Sequence, residues 1–328
     1  MERGTSFPVS TVSPPKARLY STDRSVNRIR DWERHNAESL IALSCDVPEQ
    51  EFQALEVNLD LPHVSLAYVR GTAHGVTRSG DQIERQPVRS VAVYASLRGQ
   101  ATFAQAGRQR HVRPGQLLVC DPDQPFMRVF GDGLAELAVT VPWPRIEAVA
   151  GFGMLPAPIV VDGGRGGDPY GAALVRLVGS ALRPEAAIPA HEELVVELIA
   201  MMIAGDRASL TLAHRAAAKA YIEEHLADPG LSATEVAAAT CISERHLSRV
   251  FAEAGQSVPQ YILARRLDAA HGRLTSRAAA RLRTVDVAQA CGFTSPAYFS
   301  QSFRKRFGQT AGAVRRSAGE VPISATTG

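Results

Sequence analysis

The feature that most constrains this chain is an internal repeat in its last third. The first copy reads Glu235-Val236-Ala237, then a turn, then Ser243-x3-Leu247-x3-Phe251. The second copy reads Asp286-Val287-Ala288, then a turn, then Ser295-x3-Phe299-x3-Phe303. Each copy predicts a short helix, a tight turn and a second helix, which is the helix-turn-helix pattern.

The second helix of the first copy has two contrasting faces. At about 100° per residue, the apolar Leu247 and Phe251 fall on one side, and Arg245, Ser248 and Arg249 fall on the other. Arginine is the side chain best suited to a bidentate contact with guanine. The spacing therefore predicts a helix that packs on one face and offers hydrogen-bond donors to DNA bases on the other.

The second copy repeats this arrangement. Its phenylalanines fall opposite Ala297, Gln301 and Arg304. Glutamine can pair bidentately with adenine, whereas Arg304 and Lys305, nearer the helix end, suit phosphates. Between the copies, a helix from Val258 to about Thr275 would span ~27 Å. Such a helix could hold both units on one face of a duplex, whose successive major grooves lie ~34 Å apart.

Charge is distributed unevenly along the chain. The segment from Ala213 to the end holds 15 lysines and arginines against 9 aspartates and glutamates, although the whole chain carries only +3. A basic C-terminal segment suits a nucleic-acid partner. An ordinary amphipathic helical bundle is the alternative, and two copies with matched turns in a basic segment favour DNA binding over it.

The same segment resembles the AraC/XylS family of transcription regulators over about Ala213 to Arg316. The resemblance is carried by Gly255-x3-Pro259-x-Tyr261, by Arg266-Leu267-x2-Ala270, and by a longer motif after the second turn. That motif reads Gly292-Phe293-x-Ser295-x2-Tyr298-Phe299-Ser300-x2-Phe303-x-Lys305-x-Phe307-Gly308-x-Thr310. Ala311 and Val314 depart from the family's usual residues in the last helix.

The resemblance implies which side chains face DNA bases. In the first unit these would be Arg245, Ser248 and Arg249, and in the second they would be Pro296, Ala297, Ser300 and Gln301. Pro296 and Ala297 offer no side-chain donor, so the second unit is expected to contribute shape and phosphate contacts more than base readout.

The N-terminal two thirds have a different character. Short apolar or alternating runs separated by turn residues fill about Phe52 to Pro142, which is typical of a sandwich or barrel. This region resembles the AraC-binding-like effector domain, which implies a cupin-like β-barrel that binds a small molecule, followed by dimerisation helices. The whole is thus expected to be a multidomain α+β protein with an all-α C-terminal domain. The predicted segments are a disordered tail (1–24), a β-barrel domain (25–162), a linker with dimerisation helices (163–212), the DNA-binding domain (213–318) and a second tail (319–328).

The helix predicted from His191 to Ala204 carries an apolar stripe, formed by Leu194, Leu198, Met201 and Met202. Such a stripe indicates either a dimer interface or packing on the β-domain, and the sequence favours neither.

Candidate effector contacts in the barrel are Tyr68, Arg78, Tyr94 and Phe103. An aromatic wall with one cation suits a small aromatic or carboxylate ligand. Core packing of the aromatic residues and a solvated Arg78 are the alternative.

Other functions are less favoured. No His-x-His pair or C-x-x-C motif exists, so neither a metal nor another cofactor is expected, and an enzyme is disfavoured. No apolar run approaches ~20 residues and no secretory signal is evident, which favours the cytoplasm. The expected partners are promoter DNA, RNA polymerase, a small effector and a second copy of the chain. The rival hypotheses are a metal-dependent cupin-type enzyme and a ligand-independent architectural DNA-binding protein.

Overall fold

The computed structural model describes residues 17–24, 27–47, 52–164, 166–183, 191–205, 209–276 and 282–319. Their contacts divide into two compact units, with the division between residues 217 and 218. The first unit contains the β-structure and the second is helical.

The described part of the first unit forms two antiparallel sheets. A seven-stranded sheet has the order β1-β3-β4-β11-β6-β9-β12, and a five-stranded sheet has the order β2-β5-β10-β7-β8. The barrel is therefore not closed, although the arrangement is cupin-like. The strands are β1 Arg18–Ser21, β2 Ser44–Asp46, β3 Ala54–Asp60, β4 Ser65–Gly71, β5 His74–Arg78, β6 Ser90–Arg98, β7 Ala101–Gln105, β8 Arg108–Val112, β9 Gln116–Cys120, β10 Phe126–Phe130, β11 Leu134–Pro142 and β12 Ile159–Asp162.

Alternation along the strands creates the interior of this unit. In β10, Phe126, Arg128 and Phe130 are buried and the residues between them are exposed. Turn residues set the register where strands approach closely. Gly99, after β6, has φ +79°, and a Cβ there would collide with the carbonyl oxygen of Gly133. Only glycine adopts this backbone at low cost.

Helices flank the sheets of the first unit. They are α1 Arg28–Ser39, α2 Gly80–Arg85, α3 Trp143–Ala150, α4 Pro169–Ala181 and α5 Glu192–Ala204. The apolar stripe lies on α5, where every residue from Leu194 to Ala204 is buried within the chain and α3 and α4 pack against the helix. The stripe therefore packs internally, which decides between its two interpretations.

The second unit contains the repeat. Its helices are α6 Leu210–Glu224, within which the division falls, α7 Ala233–Ala239, α8 Glu244–Glu253, α9 Val258–Thr275, α10 Thr284–Ala290, α11 Pro296–Phe307 and α12 Ala311–Gly319. One apolar core joins them and includes Phe251, Tyr261, Phe299 and Phe303.

The predicted N-terminal tail needs a correction. Residues 1–16 lie outside the described part. However, β1 lies within the segment 1–24 that the sequence predicts to be disordered, and it pairs with β3. Leu19 and Tyr20 occupy this strand, and Thr22 after it is fully buried and bonded to the backbone of Ala54. Residues 320–328 of the C-terminal tail likewise lie outside the described part.

Candidate functional site

Helix α8 is fixed by its cap and its apolar face. The Ser243 side chain accepts a hydrogen bond from the backbone N–H of His246, which satisfies one of the free donors at the helix start. Leu247, Val250 and Phe251 are fully buried on the core side. Arg245, Ser248 and Arg249 are exposed on the other side, as the spacing predicts.

Helix α11 is built in the same way. Ser295 caps it by accepting from the backbone N–H of Tyr298, and Pro296 occupies the first turn, where no N–H is required. Phe299 and Phe303 are buried in the core. The residues predicted to face DNA are all exposed, namely Pro296, Ala297, Ser300, Gln301, Arg304 and Lys305.

Two ion pairs involving Asp268 of α9 fix the scaffold under these helices. Arg265 is buried and donates to Glu223 (2.6 and 3.1 Å) as well as to Asp268. Burial alone lowers the pKa of Arg265, but the Glu223 carboxylate outweighs burial and raises it. Arg306 donates to Asp268 at 2.8 and 3.0 Å, so this basic residue of α11 is held against α9. Arg304 and Lys305 make no ion pair with any described residue, which leaves their charges available to solvent.

The second turn is tightened by a contact that sequence reasoning missed. Gly292 has φ +82°, and a Cβ there would lie 2.8 Å from both Arg266 Nε and the Leu226 carbonyl oxygen. Arg266 donates to the carbonyls of Leu226 and Asp228. The glycine at this motif position was the available signal, because only glycine combines the positive φ and the close neighbours found there at low cost.

The first unit contains a small, mostly apolar chamber between its sheets, with a few polar side chains in its lining. A cavity of about 40 Å³ is lined by aromatic and polar side chains, among them Trp32, His74, Tyr94, Arg128 and Glu136. Such a volume is well below the ~300 Å³ of an ordinary small-molecule pocket. In this conformation the chamber is nearly filled by its own side chains.

An ion pair dominates the chamber. Arg128 donates to both carboxylate oxygens of Glu136 (2.9 and 2.6 Å), and its guanidinium carbon lies 4.0 Å from the centroid of the Tyr94 ring. Burial lowers the pKa of Arg128 and the Glu136 carboxylate raises it, with a net rise. Burial also lowers the pKa of His74, which favours the neutral imidazole. The positive charge of Arg128 in the chamber is therefore already neutralised by Glu136.

The four predicted effector contacts are not brought together. Tyr94 lines the chamber, while Phe103 packs against Phe126 in the core, 5.7 Å between ring centroids. Tyr68 lies outside the chamber lining, on the opposite face of β4 from Val69. It borders a separate surface cleft that also contains Arg70 and Arg98.

Arg78 neither faces a ligand site, as the sequence predicts, nor lies in solvent, as the alternative has it. It is fully buried, and it donates to the carbonyls of Pro122, Ala42 and Gln86 and to the Asp123 carboxylate. These bonds fasten three loops together, and they compensate the guanidinium for its loss of water. The prediction missed Arg128 instead, although a charged residue at an inward position of an alternating strand was a usable signal.

No group of three or more histidine, cysteine or acidic residues that could hold a metal ion occurs among the described residues. Burial raises the pKa of the Cys120 thiol to about 12 and that of Cys291 to about 11, so both stay protonated. No described helix combines the length and the apolar character that a membrane span needs.

Comparison with protein families decides the class. Residues 32–228 match the AraC-binding-like domain, and residues 224–317 match a helix-turn-helix domain. The chain belongs to the AraC/XylS family of transcription regulators. It is accordingly a DNA-binding transcription regulator with a cupin-like N-terminal domain, which confirms the family, the fold class and the function predicted from the repeat.

Named relatives agree with this assignment. The chain is 26% identical over 292 residues to the transcriptional activator NphR of Rhodococcus sp, covering 84% of both chains. Its C-terminal part is 39% identical over 100 residues to the right origin-binding protein of Escherichia coli, covering 30% of this chain and 32% of that protein. Among solved structures, the AraC-like transcriptional activator CuxR has a TM-score of 0.49 at 17% identity, over 77% of this chain and 94% of that one.

Proposed function

We propose that this protein is a sequence-specific, effector-responsive activator that places α8 and α11 in successive major grooves of promoter DNA. The observation that carries the proposal is the matched geometry of the two helices. Each buries an aromatic face in the same core, and each exposes its polar face to solvent. Donors on a rigid helix face suit base edges in the major groove.

The two helices would make different kinds of contact with DNA. Arg245, Ser248 and Arg249 of α8 supply donors for base readout. On helix α11, Gln301 would contact a base, and Arg304 and Lys305 would contact phosphates. The small Ser300 and Ala297 and the rigid Pro296 would allow the helix to approach the DNA closely. Sequence discrimination would therefore rest mainly on α8.

The effector would bind in the first unit at the chamber, which would widen to admit it, and this change would alter how the chain engages DNA. Such an effector needs different affinities for the two states, or it shifts nothing. A homodimer and a contact with RNA polymerase complete the proposal, which places the protein in the cytoplasm with its DNA and assigns it no catalytic activity. Because the α5 stripe packs internally, the dimer would use another surface.

Fluorescence anisotropy on the DNA upstream of the gene tests the proposal. Binding would be measured over a salt series, with random DNA as competitor. We expect binding that survives the competitor and weakens steeply with salt, because phosphate contacts release counterions. Equal binding to random DNA would instead support an architectural protein.

A further inference from the structure

A second polar cluster in the first unit lies beside the chamber and takes no part in the Arg128–Glu136 pair. It joins Tyr20 of β1, Glu56 and Asn58 of β3, and His35 of α1. Glu56 is 0% exposed and Asn58 1% exposed. Strand register places Tyr20 beside Glu56, and both β3 residues are buried at alternate positions of the strand.

Four polar atoms of this cluster lack hydrogen-bond partners. Within the described part of the chain, no hydrogen-bond partner meets either carboxylate oxygen of Glu56, the Asn58 side-chain oxygen or the Tyr20 hydroxyl. An isolated buried carboxylate costs several kcal/mol, and proteins ordinarily pair such a group. A buried carboxylate without a hydrogen-bond partner among the described residues therefore indicates a site for a donor from outside the chain.

His35 does not supply that donor. Its Nε2 lies 3.6 Å from Glu56 Oε1, which is beyond hydrogen-bonding distance, and 3.0 Å from Asn58 Nδ2. Whichever way the amide of Asn58 is turned, the hydrogen-bonding capacity of that nitrogen is used by Asn58.

The nearby arginines are engaged as well. Arg18 pairs with Asp60, Arg28 donates to the Phe52 carbonyl, and Arg128 is held by Glu136. A metal ion is a poor match, because no group of three His, Cys or acidic side chains gathers here in the described residues.

We propose that Glu56, Asn58 and Tyr20 bind the ammonium group of a small primary amine, which is the effector. An ammonium group has a positive charge and three N–H donors with no acceptor, so it matches a carboxylate flanked by an amide oxygen and a phenolic oxygen that can each accept a hydrogen bond. The ring of Tyr20 stacks on His35 at 3.9 Å and lies 6.0 Å from that of Trp32, so aromatic faces flank the site. The small apolar part of the amine would extend toward the chamber, whose lining includes Trp32 and Val69, the register partner of Glu56.

This inference rests on the proposed effector-responsive regulator, and it replaces the aromatic or carboxylate ligand expected from Arg78. The test uses the full chain and three probes with the same alkyl group: propylamine, 1-propanol and propionate. Binding is followed by unfolding midpoint and by tryptophan fluorescence, since both tryptophans, Trp32 and Trp143, lie in the first unit. We expect propylamine alone to raise the midpoint at matched ionic strength.

Variants localise the response. Glu56→Gln should weaken the propylamine response at least tenfold, because it removes the carboxylate with which the ammonium group would pair. Tyr20→Phe keeps the ring and removes one acceptor, so it should weaken the response while preserving the fold. Asp60→Asn, at the exposed end of the same strand, is the matched control and should respond like the unmodified protein.

Three results would overturn the inference: no response to propylamine, an equal response to propanol or propionate, or an unchanged response in Glu56→Gln. None of these assays contains DNA. Specific DNA binding without an amine response would therefore refute this inference alone, and an amine response without specific DNA binding would refute the proposed DNA-binding function alone.

Discussion

Breaking the Arg128–Glu136 pair should destabilise the first unit strongly, and Glu136→Gln is the cleanest perturbation. The substitution preserves shape but leaves the guanidinium of Arg128, 3% exposed, without a counter-charge. Two charge-assisted bonds of 2.9 and 2.6 Å are reduced to at most one neutral acceptor. The nearest other groups are the aromatic rings of Tyr94 and Phe130, at 4.0 and 4.8 Å, which only partly compensate.

The expected loss is about 3–5 kcal/mol of unfolding free energy, which is typical of removing one partner from a buried pair. In a unit of this size, each kcal/mol lowers the midpoint by about 2–4 °C, so the midpoint should fall by ~6–20 °C. Urea titration followed by tryptophan fluorescence reports on this unit, because both tryptophans lie in it.

Two controls make the result decisive. Asp60→Asn breaks an exposed pair with Arg18 and should cost no more than about 1 kcal/mol. The double variant Arg128→Met with Glu136→Leu removes both charges and should be more stable than Glu136→Gln alone. A loss below about 1 kcal/mol in Glu136→Gln would refute the premise that Arg128 depends on this carboxylate.

Four further predictions concern DNA binding, the second turn and the thiols. Arg249→Ala should cost about 1–3 kcal/mol of binding and relax specificity at one base pair, measured by anisotropy on single-base operator variants. Lys305→Ala should weaken binding to all sequences alike and reduce the salt slope by about 1; a change confined to one base pair would contradict a phosphate contact. Gly292→Ala should destabilise the helical unit by more than about 1 kcal/mol in circular-dichroism melts, because of its positive φ and close neighbours. Exposed Cys241 should react with a thiol reagent at about pH 8. Burial raises the pKa of Cys120 to about 12, so Cys120 should react only as the pH rises toward that value or as the unit unfolds. Fast labelling of Cys120 in the folded protein would argue against this burial.

The parts predictable from sequence are those set by local spacing. Serine caps and phenylalanines at helical intervals define α8 and α11, so the exposed faces with Arg249 and Gln301 follow from the pattern within each helix. The partners of Arg78 come from three separate loops, two of them more than 30 residues away in sequence, and nothing within β5 indicates them. The Arg128–Glu136 pair likewise depends on how two strands and their sheets face each other.

The apolar stripe on α5 shows a related limit. Leu194, Leu198 and Met202 have the spacing of an interface, yet the neighbours α3 and α4 cover them within the same chain. Periodicity specifies that a face is buried, but only the tertiary arrangement specifies what buries it.

The charges proposed to contact ligands are placed in opposite ways in the two units, and this difference matches what each unit is proposed to recognise. DNA is a large polyanion, so the proposed contacts Arg249, Arg304 and Lys305 would act from an exposed surface, where their desolvation costs little until a duplex arrives. A small effector offers few atoms, so discrimination must come from desolvated groups whose partners cannot be replaced by water. The first unit buries both an ion pair, Arg128–Glu136, and a carboxylate without a hydrogen-bond partner among the described residues, that of Glu56. The Arg128–Glu136 pair stabilises the chamber. A bound cation would change the free energy of the buried Glu56 carboxylate, so binding at Glu56 could stabilise one conformation of the unit over another.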